Sequence, residues 1–201
     1  MEYIHNNKNA LIVLHEIYGV NKFIEDVCTR YHRISFDVYS PNLLNKESYS
    51  YEQAADAYSY FMNKIGFHVY EQINALVNIL KEKYDKVFIL GFSVGATIAW
   101  RCSENSMCDG VIACYGSRIR DYLEVKPSCQ VLLIFANEDS YNAERVMKEV
   151  IHIKRVCIKK VEAHHGFLDT YSKYYDREQA EKGYYYIAEF LGQKNVDEYQ
   201  N

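Results

Sequence analysis

Residues 86–102 read KVFILGFSVGATIAWRC, and the order of residue types in that stretch calls for a strand, a tight turn and a helix. The continuous apolar run Val87, Phe88, Ile89, Leu90 suits a strand buried on both faces of a parallel sheet. Ala96, Ala99 and Trp100 fall on roughly one face of a following helix. Between the two, Gly91-Phe92-Ser93-Val94-Gly95 sets a serine between glycines, the pattern of a nucleophile elbow. Such a turn is so tight that β-carbons two residues either side of the serine would collide. The Ser93 hydroxyl then stands clear of the backbone, at a helix N-terminus whose free N–H groups favour a developing anion. The five-residue string alone fits a glycine-rich corner about as well, so the reading turns on whether an acid and a histidine follow on later strands.

The rest of the chain alternates in the same way. Strand-like apolar runs are expected at 10–14, 34–39, 111–115, 131–136 and 156–161. Helical spacing appears at 21–31 (Phe23, Ile24, Val27, Tyr31), 52–64, 70–84 (Ile73, Leu76, Val77, Leu80), 143–152 and 177–191, the last with Asp176 and Gln179 placed as a capping box. Alternation of strand and helix predicts a mostly parallel sheet with helices on both faces. No repeat or linker interrupts it, so 1–201 is expected to form one α/β domain. The segment 52–64 reads equally as a small lid over Ser93 or as an ordinary packed helix.

Composition excludes several classes. A net charge of −4 and the lack of a basic run leave no electrostatic footprint for nucleic acid or an anionic membrane. The N-terminal apolar run is too short for a signal or membrane segment, which points to the cytoplasm. None of the six cysteines forms a Cys-x-x-Cys pair, as suits structural reduced thiols. Neither His15-Glu16 nor His164-His165 has the helical spacing of a zinc motif, and no metal is expected.

Reactive groups of an open parallel sheet collect beyond the carboxyl ends of its strands. Those positions hold Glu16 and Ile17, then Ser93, Tyr115, the pair Glu138-Asp139, and the pair His164-His165. Nucleophile, acid, histidine is the chain order of an α/β-hydrolase triad. Ser93, Asp139 and His165 are the expected members. Glu138 is the competing carboxylate and His164 the competing imidazole, with His165 favoured because Gly166 leaves room beside its ring. The oxyanion would meet the backbone N–H of Val94 and one from the first strand–helix loop, Ile17. Arg118 and Arg120, just past Tyr115, are candidates to meet an acidic substrate group; two solvated arginines are the plainer reading.

Taken together, His15-Glu16-Ile17-Tyr18-Gly19, Pro41-Asn42-Leu43, Gly91-Phe92-Ser93-Val94-Gly95, Tyr115-Gly116, Asp139 and His165-Gly166-Phe167 resemble the dienelactone hydrolase family of α/β-hydrolases. The resemblance implies a fold with little or no cap domain and hydrolysis of an ester or lactone without a cofactor. Separately, a monomer or small homo-oligomer acting on a small-molecule ester or lactone is the expected form. The chain departs from it in three ways. Serine replaces the cysteine nucleophile of the best-known members. Glu16 matches the family glutamate but faces a hydroxyl, where its expected part is to bond local backbone and shape the oxyanion loop. Asp169 stands where a substrate-binding arginine is expected, so dienelactone itself is a poor candidate substrate. Acyl transfer, peptide cleavage and a catalytically silent binding module are the competing functions.

Overall fold

Strands whose two faces are both apolar can be stable only between two layers of helices, and that is the arrangement of this chain. The computed structural model describes residues 1–137 and 142–193. Its strands are β1 (Glu2–Tyr3), β2 (Asn9–Leu14), β3 (Phe36–Tyr39), β4 (Lys86–Phe92), β5 (Gly110–Cys114), β6 (Gln130–Asn137) and β7 (Val156–His164). They form one sheet in the order β1-β3-β2-β4-β5-β6-β7. Every neighbouring pair is parallel except β1 with β3. The helices are α1 (Lys22–Arg33), α2 (Ala54–Tyr60), α3 (Tyr70–Lys81), α4 (Val94–Cys102), α5 (Ala143–Val150) and α6 (Arg177–Phe190).

Alternation along β2 divides the core in two. Ala10, Ile12 and Leu14 point into a cluster with Ile73 and Val77 of α3, Trp100 of α4 and Val146 of α5. Leu11 and Val13 point the other way, among Phe23, Ile24 and Val27 of α1 and Ile187 of α6. Each such buried aliphatic side chain contributes about 1.5–3 kcal/mol relative to exposure. The stripe expected on α1 is buried as read, and Asn21 caps the helix by accepting from the Ile24 N–H at 3.2 Å. Asp176 caps α6 in the same way, accepting from the Gln179 N–H at 3.1 Å.

Several boundaries differ from the sequence reading. β1 carries only two residues, too few for any periodic signal. α3 stops at Lys81 rather than continuing to Tyr84, which instead turns inward and donates to buried Asp37 at 2.9 Å. β7 continues past Val161 to His164, with its register shifting opposite Phe135 and Asn137. As an edge strand it alternates exposed Glu162 and His164 with buried Ala163, a weaker signal than a continuous apolar run. The segment after residue 50 is a short helical series: a 3₁₀ turn at Tyr51–Gln53, then α2, then a single π-helical turn at Phe61–Ile65. Ala57 and Phe61 are fully buried, so this segment is anchored in the core.

Among the described residues no helix is long and apolar enough to cross a membrane. The six cysteines are free thiols, five of them buried and Cys157 exposed.

Candidate active site

The strand–turn–helix at Ser93 has the geometry its sequence demands. Ser93 sits between β4 and α4 at φ 54°, ψ −113°, a conformation that side-chain-bearing residues avoid. A β-carbon on Gly91 would lie 2.2 Å from the Gly95 carbonyl oxygen, and one on Gly95 would lie 2.5 Å from that of Leu14. The two glycines thus let the turn close on itself and let α4 approach the end of β2. The Ser93 N–H donates to the Cys114 carbonyl at 3.0 Å, and its own carbonyl receives the Ala96 and Thr97 N–H groups. Such bonds hold the strained residue in place. Val94, first residue of α4, belongs to the helical turn whose N–H groups have no intrahelical acceptor.

His165 follows the last residue of β7. The turn after it closes through the Phe167 N–H donating to the His164 carbonyl, with Gly166 at φ 84°. Its Nε2 lies 2.9 Å from Ser93 Oγ. The Tyr115 ring packs edge-on against the imidazole, centroids 4.9 Å apart. His164 faces the opposite way, is exposed, and lies against Tyr174. The chain therefore brings His165 and not His164 to the serine. Asp139 and its competitor Glu138 lie outside the described residues.

The loop after β2 forms the other wall. His15 is fully buried, with Nδ1 2.6 Å from the Glu16 carbonyl oxygen and Nε2 accepting from the Leu43 N–H at 2.9 Å. One nitrogen must donate and the other accept, so the ring is neutral with its proton on Nδ1. Burial agrees, lowering its pKa to about 4. Glu16 is buried, and desolvation raises its pKa to about 7; His165 and the Tyr115 phenol oppose that rise, while Asp169 adds to it. Among the described residues neither Glu16 Oε1 nor Tyr115 Oη completes a regular hydrogen bond. The His15 ring ties the Glu16 backbone to Leu43.

These walls enclose a cavity of about 130 Å³ lined by Glu16, Ile17, Tyr18, Tyr51, Ser93, His165, Gly166, Ser172 and Tyr174. It is smaller than the 300–1,000 Å³ of a typical small-molecule site. Ile17 lies on this wall. Arg118 and Arg120 do not line it. They lie on the 3₁₀ turn Ser117–Asp121, where Arg118 Nε is 2.6 Å from Asp121 and Arg120 bonds the Ser117 carbonyl. Three residues of the site had no motif to mark them in this role: His15, Tyr51 and Asp169. Asp169 is fully buried and accepts from Tyr51 Oη at 2.5 Å and from the Tyr171 N–H at 2.8 Å.

A seven-stranded, mostly parallel sheet with a serine on the sharp turn after its central strand defines the α/β-hydrolase fold. Within it, the chain belongs to the dienelactone hydrolase family, whose model matches residues 3–195. Uncharacterized protein YczH of Bacillus subtilis is 35% identical over 175 residues, which span 85% of this chain and 86% of that one. A candidate dienelactone hydrolase from Klebsiella pneumoniae superposes with a TM-score of 0.77 at 19% identity, covering 93% of this chain and 87% of its own. A dienelactone hydrolase-like promiscuous phosphotriesterase from metagenomic libraries superposes at 0.74 with 14% identity, covering 94% and 88%.

Proposed function

We propose that the protein is a serine hydrolase cleaving a small carboxylic ester, lactone or thioester through an acyl-enzyme. The observation that carries this reading is the 2.9 Å contact between His165 Nε2 and Ser93 Oγ. Neutral His165 takes the hydroxyl proton as Ser93 attacks the acyl carbon, then returns it to the leaving group. Water, activated by the same imidazole, releases the acid. Asp139 completes the triad by orienting the imidazole and offsetting its transient charge, an assignment resting on chain order.

The N–H groups of Val94 and Ile17 hold the oxyanion. Loss of one such donor costs about 3 kcal/mol of transition-state stabilisation. The His15 clamp on the Glu16 carbonyl is what keeps the second donor's loop in register. Free thiols throughout the described chain suit a cytoplasmic address.

A fluorophosphonate probe tests the reading. Labelling of the wild-type chain that disappears in Ser93→Ala is expected. Absence of labelling would favour a silent binding module, and turnover only with an added alcohol or amine acceptor would favour acyl transfer.

A further inference from the structure

The cavity beside Ser93 is electrically one-sided. Among the described residues no lysine or arginine lines it, whereas Glu16 does. Asp169 lies directly behind Tyr51, fully buried. The arginines with a claim to reach the site are engaged elsewhere, Arg118 with Asp121 and Arg120 with the Ser117 carbonyl. Lys173 stands over the outer ring of Tyr174, 4.8 Å from its centroid, and lines the adjoining cleft with Asn137, Glu162 and Asp176 instead. What remains around the reacting serine is phenol, aliphatic side chain, the Ser172 hydroxyl, the Glu16 carboxyl and the His165 imidazole that serves as its base.

From this, and resting on the hydrolase reading above, we infer that the site selects acyl groups without negative charge and rejects esters whose acyl part carries a carboxylate. A carboxylate entering this cavity would lose its water and find no lysine or arginine to replace it. It would also face Glu16 and Asp169 across a medium less screening than water, where like charges repel strongly. A neutral acyl group meets neither penalty. The cavity wall carries the Glu16 carboxyl, and Asp169 is bonded to the hydroxyl of the lining residue Tyr51.

The test compares p-nitrophenyl esters of glutaric acid and of its monoamide, the same size with and without charge, at pH 8. p-Nitrophenyl butyrate serves as activity control, and spontaneous release is subtracted using Ser93→Ala. The amide ester is expected to show kcat/KM on the order of 100-fold above the carboxylate ester. In Glu16→Gln and Asp169→Asn chains that ratio should shrink. Equal values in the wild-type chain, including both at the blank, would overturn the inference while butyrate cleavage left the hydrolase reading standing. No cleavage of butyrate together with no fluorophosphonate labelling of Ser93 would sink both.

Discussion

Tyr51 and Asp169, 118 positions apart in sequence, are joined by a 2.5 Å hydrogen bond from phenol to carboxylate at the rim of the cavity. The bond ties the start of the helical segment after residue 50 to the turn that carries His165. Desolvation raises the Asp169 pKa, while Tyr51 and the Tyr171 and Ser172 N–H groups oppose the rise. Removing the phenol hydroxyl therefore strips a buried carboxyl of its shortest partner.

Tyr51→Phe should lower stability by about 2 kcal/mol, the range for a bond to a charged group. Urea denaturation at pH 7 measures it. A midpoint unchanged from wild type would show that the rim is held by packing alone.

His15 and Glu16 predict opposing pH trends in stability. The His15 pKa is depressed to about 4 from 6.5, so its stabilising contribution is present above 6.5 and is lost as pH falls through 4. The Glu16 pKa is raised to about 7 from 4.5, so its contribution is present below 4.5 and is lost as pH rises through 7. Between pH 4.5 and 6.5 the two offset each other. Glu16→Gln removes one trend, and stability should then climb with pH across that window by up to about 3 kcal/mol relative to wild type. Denaturation curves at stepped pH check the difference, and parallel profiles for the two chains would refute it.

Strain at Ser93 separates stability from activity. Glycine tolerates φ 54°, ψ −113° far better than alanine does. Ser93→Gly should therefore be more stable than Ser93→Ala by about 1 kcal/mol, with ester hydrolysis abolished in both. Paired thermal melts and p-nitrophenyl butyrate assays would show it; an alanine chain as stable as the glycine chain would argue against strain.

Gly95 allows α4 to touch the end of β2. A methyl group there meets the Leu14 and His15 carbonyl oxygens at 2.5 and 2.6 Å, and backbone cannot yield as a side chain does. Gly95→Ala should cost roughly 3 kcal/mol or more, beyond ordinary overpacking. It should also depress kcat more than KM, because the displaced strand end carries the loop proposed to hold the oxyanion. Calorimetry and steady-state kinetics together test both halves, and a stable, fully active variant would contradict the close approach.

Much of this was legible in the chain itself. Continuous apolar runs at β2, β4, β5 and β6 announce strands covered on both faces, because burial on both sides leaves no place for polar residues. The elbow is legible for the same kind of reason: only glycine fits where backbone meets backbone, so Gly91 and Gly95 carry the turn in their identities. Gly166 leaves room beside the His165 ring, and that ring, not the neighbouring His164, lies 2.9 Å from Ser93 Oγ.

Other features were decided only by the packing of distant segments. Nothing local to Tyr51 or Asp169 signals that they will meet, since their bond depends on how two loops close over the sheet. Nor could spacing show that Arg118 and Arg120 would find partners in their own turn and stay out of the cavity. His15 becomes a clamp because Leu43, 28 positions away, presents an N–H to its ring. Local sequence dictates which residues must be buried and where the backbone must bend. Which side chains share a wall of the cavity is a long-range outcome, set where the ends of separate strands converge.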